Sequence, residues 1–155
     1  MSTRNIIQLT YDAFGRNNGF TKKSGHWYLR QVETIAAIEL QKSQYGLQYY
    51  INVAVWLLPL GEAQYPKEWT CHVRTRLDDL LPDLEERLRI LLDLEAPMPD
   101  TDRSNELMAV LTTKLLPLLK ASSTVADLNS DDGQRLIKRS LVTGPAQRLL
   151  HGHPG

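Results

Sequence analysis

The chain has 155 residues, 42% hydrophobic and 23% charged, which supplies one continuous core and suits a single domain over residues 1–155. Basic and acidic side chains number 18 each, so the formal net charge is zero, without the concentrated positive field on which nucleic-acid binders rely. A single cysteine, Cys71, excludes an intramolecular disulfide, and the absence of an apolar run of about 18 residues argues against a membrane span. With no signal-peptide core in MSTRNIIQLTYDAF, the expected location is the cytoplasm.

A first helix is predicted over residues 3–18. Ser2 or Thr3 is its expected cap, and Ile6, Leu9, Thr10, Ala13 and Phe14 recur at helical spacing. Asn17-Asn18-Gly19 tolerates the left-handed conformation of a helix end, and Phe20 folds back as its hydrophobic closure.

Residues 20–78 read as a sheet region. Lys22-Lys23-Ser24-Gly25 is turn chemistry, and Trp27–Val32 is rich in aromatic and branched residues. Thr34–Gln41 follows after a very short connection, Leu47–Leu58 is the longest strand candidate, and Trp69–Leu77 is the fourth. Short turns impose antiparallel pairing, so a meander of about four strands is expected.

Residues 83–150 change to a helical period. Asp83 and Glu86 have capping-box spacing, and Leu84, Leu88, Leu91 and Leu92 form a stripe. After the linker Glu95–Asp102, a longer helix is expected from about Arg103 to Lys120. Pro117, which lacks an amide hydrogen, should kink it or end it early. Short helical pieces are expected near Val125–Leu128 and Gln134–Leu141, and the tail GPAQRLLHGHPG as loosely ordered. The fold class is therefore α+β, with the helices on one face of an antiparallel sheet and the other face open.

Strand alternation sorts the sheet residues. Tyr49, Ile51, Val53, Val55 and Leu57 form the core side of the long strand, and Cys71, Val73, Thr75 and Leu77 that of the fourth. The opposite side collects Glu39, Gln41, Tyr50, Asn52, Trp56, His72, Arg74 and Arg76, a polar and aromatic candidate binding face. Arg74 and Arg76 stand two strand steps apart and need negative charge nearby, from Glu39, Asp78 or Asp79 or from an anionic ligand.

No metal, cofactor or nucleophile pattern emerges. Cys71 and His72, as adjacent strand residues, are expected on opposite faces, which rules out a shared ion or a nucleophile pair. His151 and His153 fall in the tail, and neither G-x-S-x-G nor a phosphate-cradling glycine loop is present. Most of the strand-region aromatics are expected to serve packing, and the RNA-recognition pattern of aromatics is missing.

The blocks GFTKKSGHWYLR (Gly19 to Arg30), IELQKS (Ile38 to Ser43), YYINVAVWL (Tyr49 to Leu57) and CHVRTRLDDLLP (Cys71 to Pro82) resemble the bacterial family called domain of unknown function 4304. The resemblance implies a small α+β protein and carries no catalytic residues with it. Together with the missing nucleophile, metal and phosphate-binding motifs it leads to the expectation of a non-catalytic binding module for a partner protein, of which a toxin-neutralising immunity protein is one version. The alternative is an enzyme or small-molecule binder with Arg74 and Arg76 as an anion clamp and His72 or Glu39 as proton carrier.

Overall fold

The structure, a computed structural model, describes residues 3–151. Its first helix, α1 (Ile6–Asn17), starts later than the sequence suggests because Asn5, with Gln8 three residues on, makes a reciprocal capping box. The Asn5 side chain accepts from the Gln8 amide at 2.9 Å, and the Gln8 side chain accepts from the Asn5 amide at 3.0 Å. Thr3 precedes the helix, and Ser2 lies outside the described residues. At the other end Gly19 takes φ 81°, and the Phe20 amide donates to the Gly15 carbonyl. Phe20 then packs its ring 5.5 Å from that of Phe14, which is the closure expected.

The sheet has six strands in sequential order, all antiparallel: β1 (Thr21–Lys23), β2 (His26–Arg30), β3 (Thr34–Lys42), β4 (Tyr49–Leu57), β5 (Val73–Arg76) and β6 (Leu141–Val142). The four-stranded expectation is corrected at both edges. Thr21–Lys23 pairs instead of turning, because the reversal is confined to Ser24 and Gly25. Their φ values of 50° and 85° fit a two-residue hairpin turn. Leu141–Val142 leaves the expected helix to pair with Val73 and Arg74. β5 is also shorter than predicted, since Glu68–Thr70 forms a 3-10 turn.

After β5 come α2 (Leu77–Leu80), a 3-10 turn at Pro82–Leu84 and α3 (Glu85–Leu91). The turn initiated by Pro82 places Leu84, not Asp83, at the start of α3, and no side chain caps it. The long helix is α4 (Asp100–Val110), a π-helical turn at Leu111–Leu115 and α5 (Leu116–Lys120). Pro117 does not end it early. The widened turn just before it changes the hydrogen-bond register where the missing amide and the ring clash would fall. Two side-chain caps, Thr124 and Ser130, then start α6 (Val125–Leu128) and α7 (Asp131–Ile137). The tail is ordered as α8 (Gly144–His151), which buries Ala146 and Leu150; His153 lies outside the described residues.

One side of the sheet carries the main core. Ile38, Ile51, Val53, Val55 and Val73 pack there with Ile7 and Phe14 of α1 and with Leu107, Leu111, Leu115 and Leu119 from the long helix. Each such side chain stabilises by about 1.5–3 kcal/mol when fully buried. The other side is not wholly open. The segment Leu58–His72, here called the strap, crosses it and closes a smaller cluster of Tyr28, Ile35, Ala37, Ala54 and Cys71.

Candidate functional site

The register brings most of the expected residues onto one face. Glu39, Asn52 and Arg76 share a row across β3, β4 and β5, and Gln41 stands opposite Tyr50. Val53 and Val73 point to the helix side and are fully buried, so the alternation read along β4 and β5 holds. His26 and Tyr28 of β2 belong to the same outer face. A short alternating strand at residues 26–30 was the available signal for them.

The strap divides this face into two regions. At one end His72 packs on Trp56, ring centroids 4.3 Å apart, and its Nδ1 accepts from the Leu57 amide at 2.9 Å. Burial holds the His72 imidazole below its ordinary pKa, in agreement with the neutral ring that this bond requires. Trp56 donates from Nε1 to the Gly61 carbonyl at 2.7 Å. His72 thus closes the strap at its base.

Cys71 departs from the expected face. It precedes the regular strand, so alternation does not reach it, and it packs with Tyr28, Ile35, Ala37 and Ala54 under the strap. Cys71 and His72 still form no pair, because the thiol is directed to the Lys67 carbonyl at 3.5 Å. Burial, and secondarily Glu68, push the Cys71 pKa up to about 12, against the opposing pull of Arg74. Such a thiol is a poor nucleophile at neutral pH. The Tyr28 hydroxyl beside it is buried without a hydrogen-bond partner, and burial raises its pKa to about 12.

At the other end lies an open groove of about 760 Å³, lined by Gln41, Asn52, Arg74, Arg76, Lys138 and Arg139 together with Glu68, Asp78, Asp79 and Glu85. The two strand arginines differ. Arg74 Nε donates to Glu68 Oε2 at 2.9 Å; that partner comes from the strap, not from Glu39 or the Asp78-Asp79 pair. Glu68 is 7% exposed, so the pair is half sunk into the surface. Arg76 instead lies with its guanidinium carbon 4.1 Å from the Tyr50 ring centroid, and no carboxylate pairs with it among the described residues. A cation on an aromatic face is held in place with its N–H donors still available. Asn52 donates to both Glu39 (3.0 Å) and Gln41 (2.9 Å), which fixes the floor of the groove. Among the described residues, no three His, Cys, Asp or Glu side chains are grouped to hold a metal ion.

Fold and surface together define a small α+β domain whose sheet carries, beside a strapped apolar patch, a groove lined by charges of both signs. Residues 13–121 match the family described as a domain of unknown function, DUF4304, and the chain belongs to that family. No curated protein and no solved structure matches it. Among the described residues, no helix is long and apolar enough to cross a membrane.

Proposed function

We propose that the protein is a non-catalytic binding module that holds a partner protein in the groove on the outer sheet face, in the cytoplasm. The observation that carries this reading is Arg76. It is fixed by Tyr50, has no ion-pair partner among the described residues, and stands in an open groove with Lys138 and Arg139. Buried arginine and aromatic anchors dominate protein interfaces, whereas small-molecule sites are enclosed and mostly apolar. Exposed Trp69 on the strap extends the same face, 57% accessible and edge-on to His26. The nearby reactive groups are tied to structural partners, His72 to the Leu57 amide and Arg74 to Glu68, which favours binding over the enzyme alternative. An immunity-type role is one version of this reading and rests on size and fold class.

A photo-activated crosslinker placed at Arg139, compared with one at Lys114 on the exposed side of the long helix, tests it in cells. The reading requires a defined protein adduct at position 139 that Arg76→Glu abolishes, with folding retained by circular dichroism. Equal adducts at both positions, or none at 139, refute it.

A further inference from the structure

We infer that the strap Leu58–His72 is a pH-sensitive latch, held on the sheet by two neutral histidines that accept backbone N–H groups and released when those histidines take up protons. This goes beyond the binding reading and does not depend on it. His72 Nδ1 accepts from Leu57, the residue just before the strap, so one bond staples the two ends of the segment together. His26 Nε2 accepts from the amide of Glu68, in the strap's second half, at 3.2 Å, with His26 itself 2% exposed. An imidazolium has no lone pair at either nitrogen, so protonation converts both acceptors into donors facing donors.

The surroundings supply the alternative partner. His26 Nε2 is also 3.7 Å from Glu39 Oε2 on β3. Once protonated it donates there and leaves the Glu68 amide without an acceptor. The other groups facing His26 are the Ser24 carbonyl, 3.4 Å from Nδ1, Lys23, its register partner on β1, and the rings of Tyr28 and Trp69. His72 faces the Trp56 ring, and Arg74, two residues further along the chain, is bound to Glu68. The indole face keeps attraction for a protonated His72, yet the Leu57 amide still loses its acceptor. The strap's other ties, among them Arg74 to Glu68, Arg30 to Glu62, Trp56 to Gly61, Arg30 to Ala63 and the Leu58 amide to Glu33, involve no histidine. Opening therefore means that the strap backbone comes away at its base and at the Glu68 amide while the sheet stays intact. Beneath it, the unpartnered Tyr28 hydroxyl gains water as it lifts.

Cys71, 2% exposed and the single cysteine, reports the opening. Its labelling by 4,4′-dithiodipyridine, which reacts in acid, is measured relative to the urea-unfolded chain at each pH. We expect this relative rate to rise at least tenfold from pH 7.5 to 5.5 with the far-ultraviolet circular dichroism unchanged. The double variant His26→Gln/His72→Asn, whose amide oxygens replace Nε2 and Nδ1 as acceptors that do not titrate, should show no rise. Amide exchange in the wild-type protein gives a second readout that needs no variant: protection at Leu57 and Glu68 should fall on acidification while Val53 stays protected. A flat wild-type rate, a rise seen only with loss of helical signal, an equal rise in the double variant, or protection lost equally at Val53 overturns the latch.

Discussion

The indole of Trp27 lies against the bare backbone of Gly15: a Cβ at that glycine would stand 2.3 Å from Trp27 Cδ2. The same indole donates from Nε1 to Asp12 at 2.9 Å, so two positions of α1, three residues apart, clamp the start of β2. Gly15→Ala should therefore cost about 1–3 kcal/mol by overpacking, although alanine normally stabilises a helix interior. Urea unfolding of the variant checks the sign: a gain in stability would mean that the indole can move away freely.

Asp12 gives the domain an acid-sensitive joint. Burial alone would raise its pKa, but the Trp27 hydrogen bond and the Lys22 and Arg4 charges outweigh it and hold the carboxyl below its ordinary value. The folded state therefore binds this proton less readily than the unfolded chain. The stabilisation is fully present above the unfolded pKa near 4 and is lost as pH falls through the folded value. Asp12→Asn should lower stability at pH 7 and flatten the decline between pH 5 and 3, read from urea midpoints.

Val53→Asp and Arg74→Ala separate the two sheet faces. Val53 is fully buried on the helix side, so an unpaired carboxylate there costs several kcal/mol, on the order of the stability of the whole domain, and soluble expression should fail. Arg74 was expected to stand on an open surface, where its removal costs little. Its pairing with nearly buried Glu68 raises the expected loss to about 1–3 kcal/mol. A thermal melt in which Arg74→Ala is the more damaging change would contradict this assignment of faces.

The Cys71 thiol should be inert at neutral pH. With a pKa of about 12, its thiolate fraction at pH 8 is about a thousandfold below that of an ordinary cysteine. Reaction of the native protein with Ellman's reagent at pH 8 should be at least about 100-fold slower than that of the urea-unfolded chain. Comparable rates would place the thiol at the surface.

The regular elements were legible because their periods are clean. The strand expected over Leu47–Leu58 is β4, Tyr49–Leu57, two residues shorter at its start and one at its end, and its alternation of large apolar with polar or aromatic residues is broken at Ala54 alone. Val125–Leu128, preceded by Thr124, is likewise the helix predicted. Two-residue β6 has no period to read, since partners on β5 create it. The strap was hidden for a different reason: Pro59, Gly61 and Pro66 read as a connector. The usable signal lay in the sheet. Ile35, Ala37 and Ala54 fall on the outer face, and three apolar residues on a face expected to be open require a cover. The pairing of Glu68 with Arg74 leaves no sequence signal, because no local spacing links residue 68 of an irregular segment to a strand residue six positions later.

Strand lengths at the two borders bear on how the molecule meets other chains. The sheet is broad in the middle, with nine residues in each of β3 and β4, and tapers to three in β1 and two in β6. A neighbouring chain that tries to extend the ladder meets only a few free backbone groups, and at β1 it also meets two lysines. Fibrillar growth by stacking strand on strand has no long template here. The narrow borders confine the sheet to the molecule that made it.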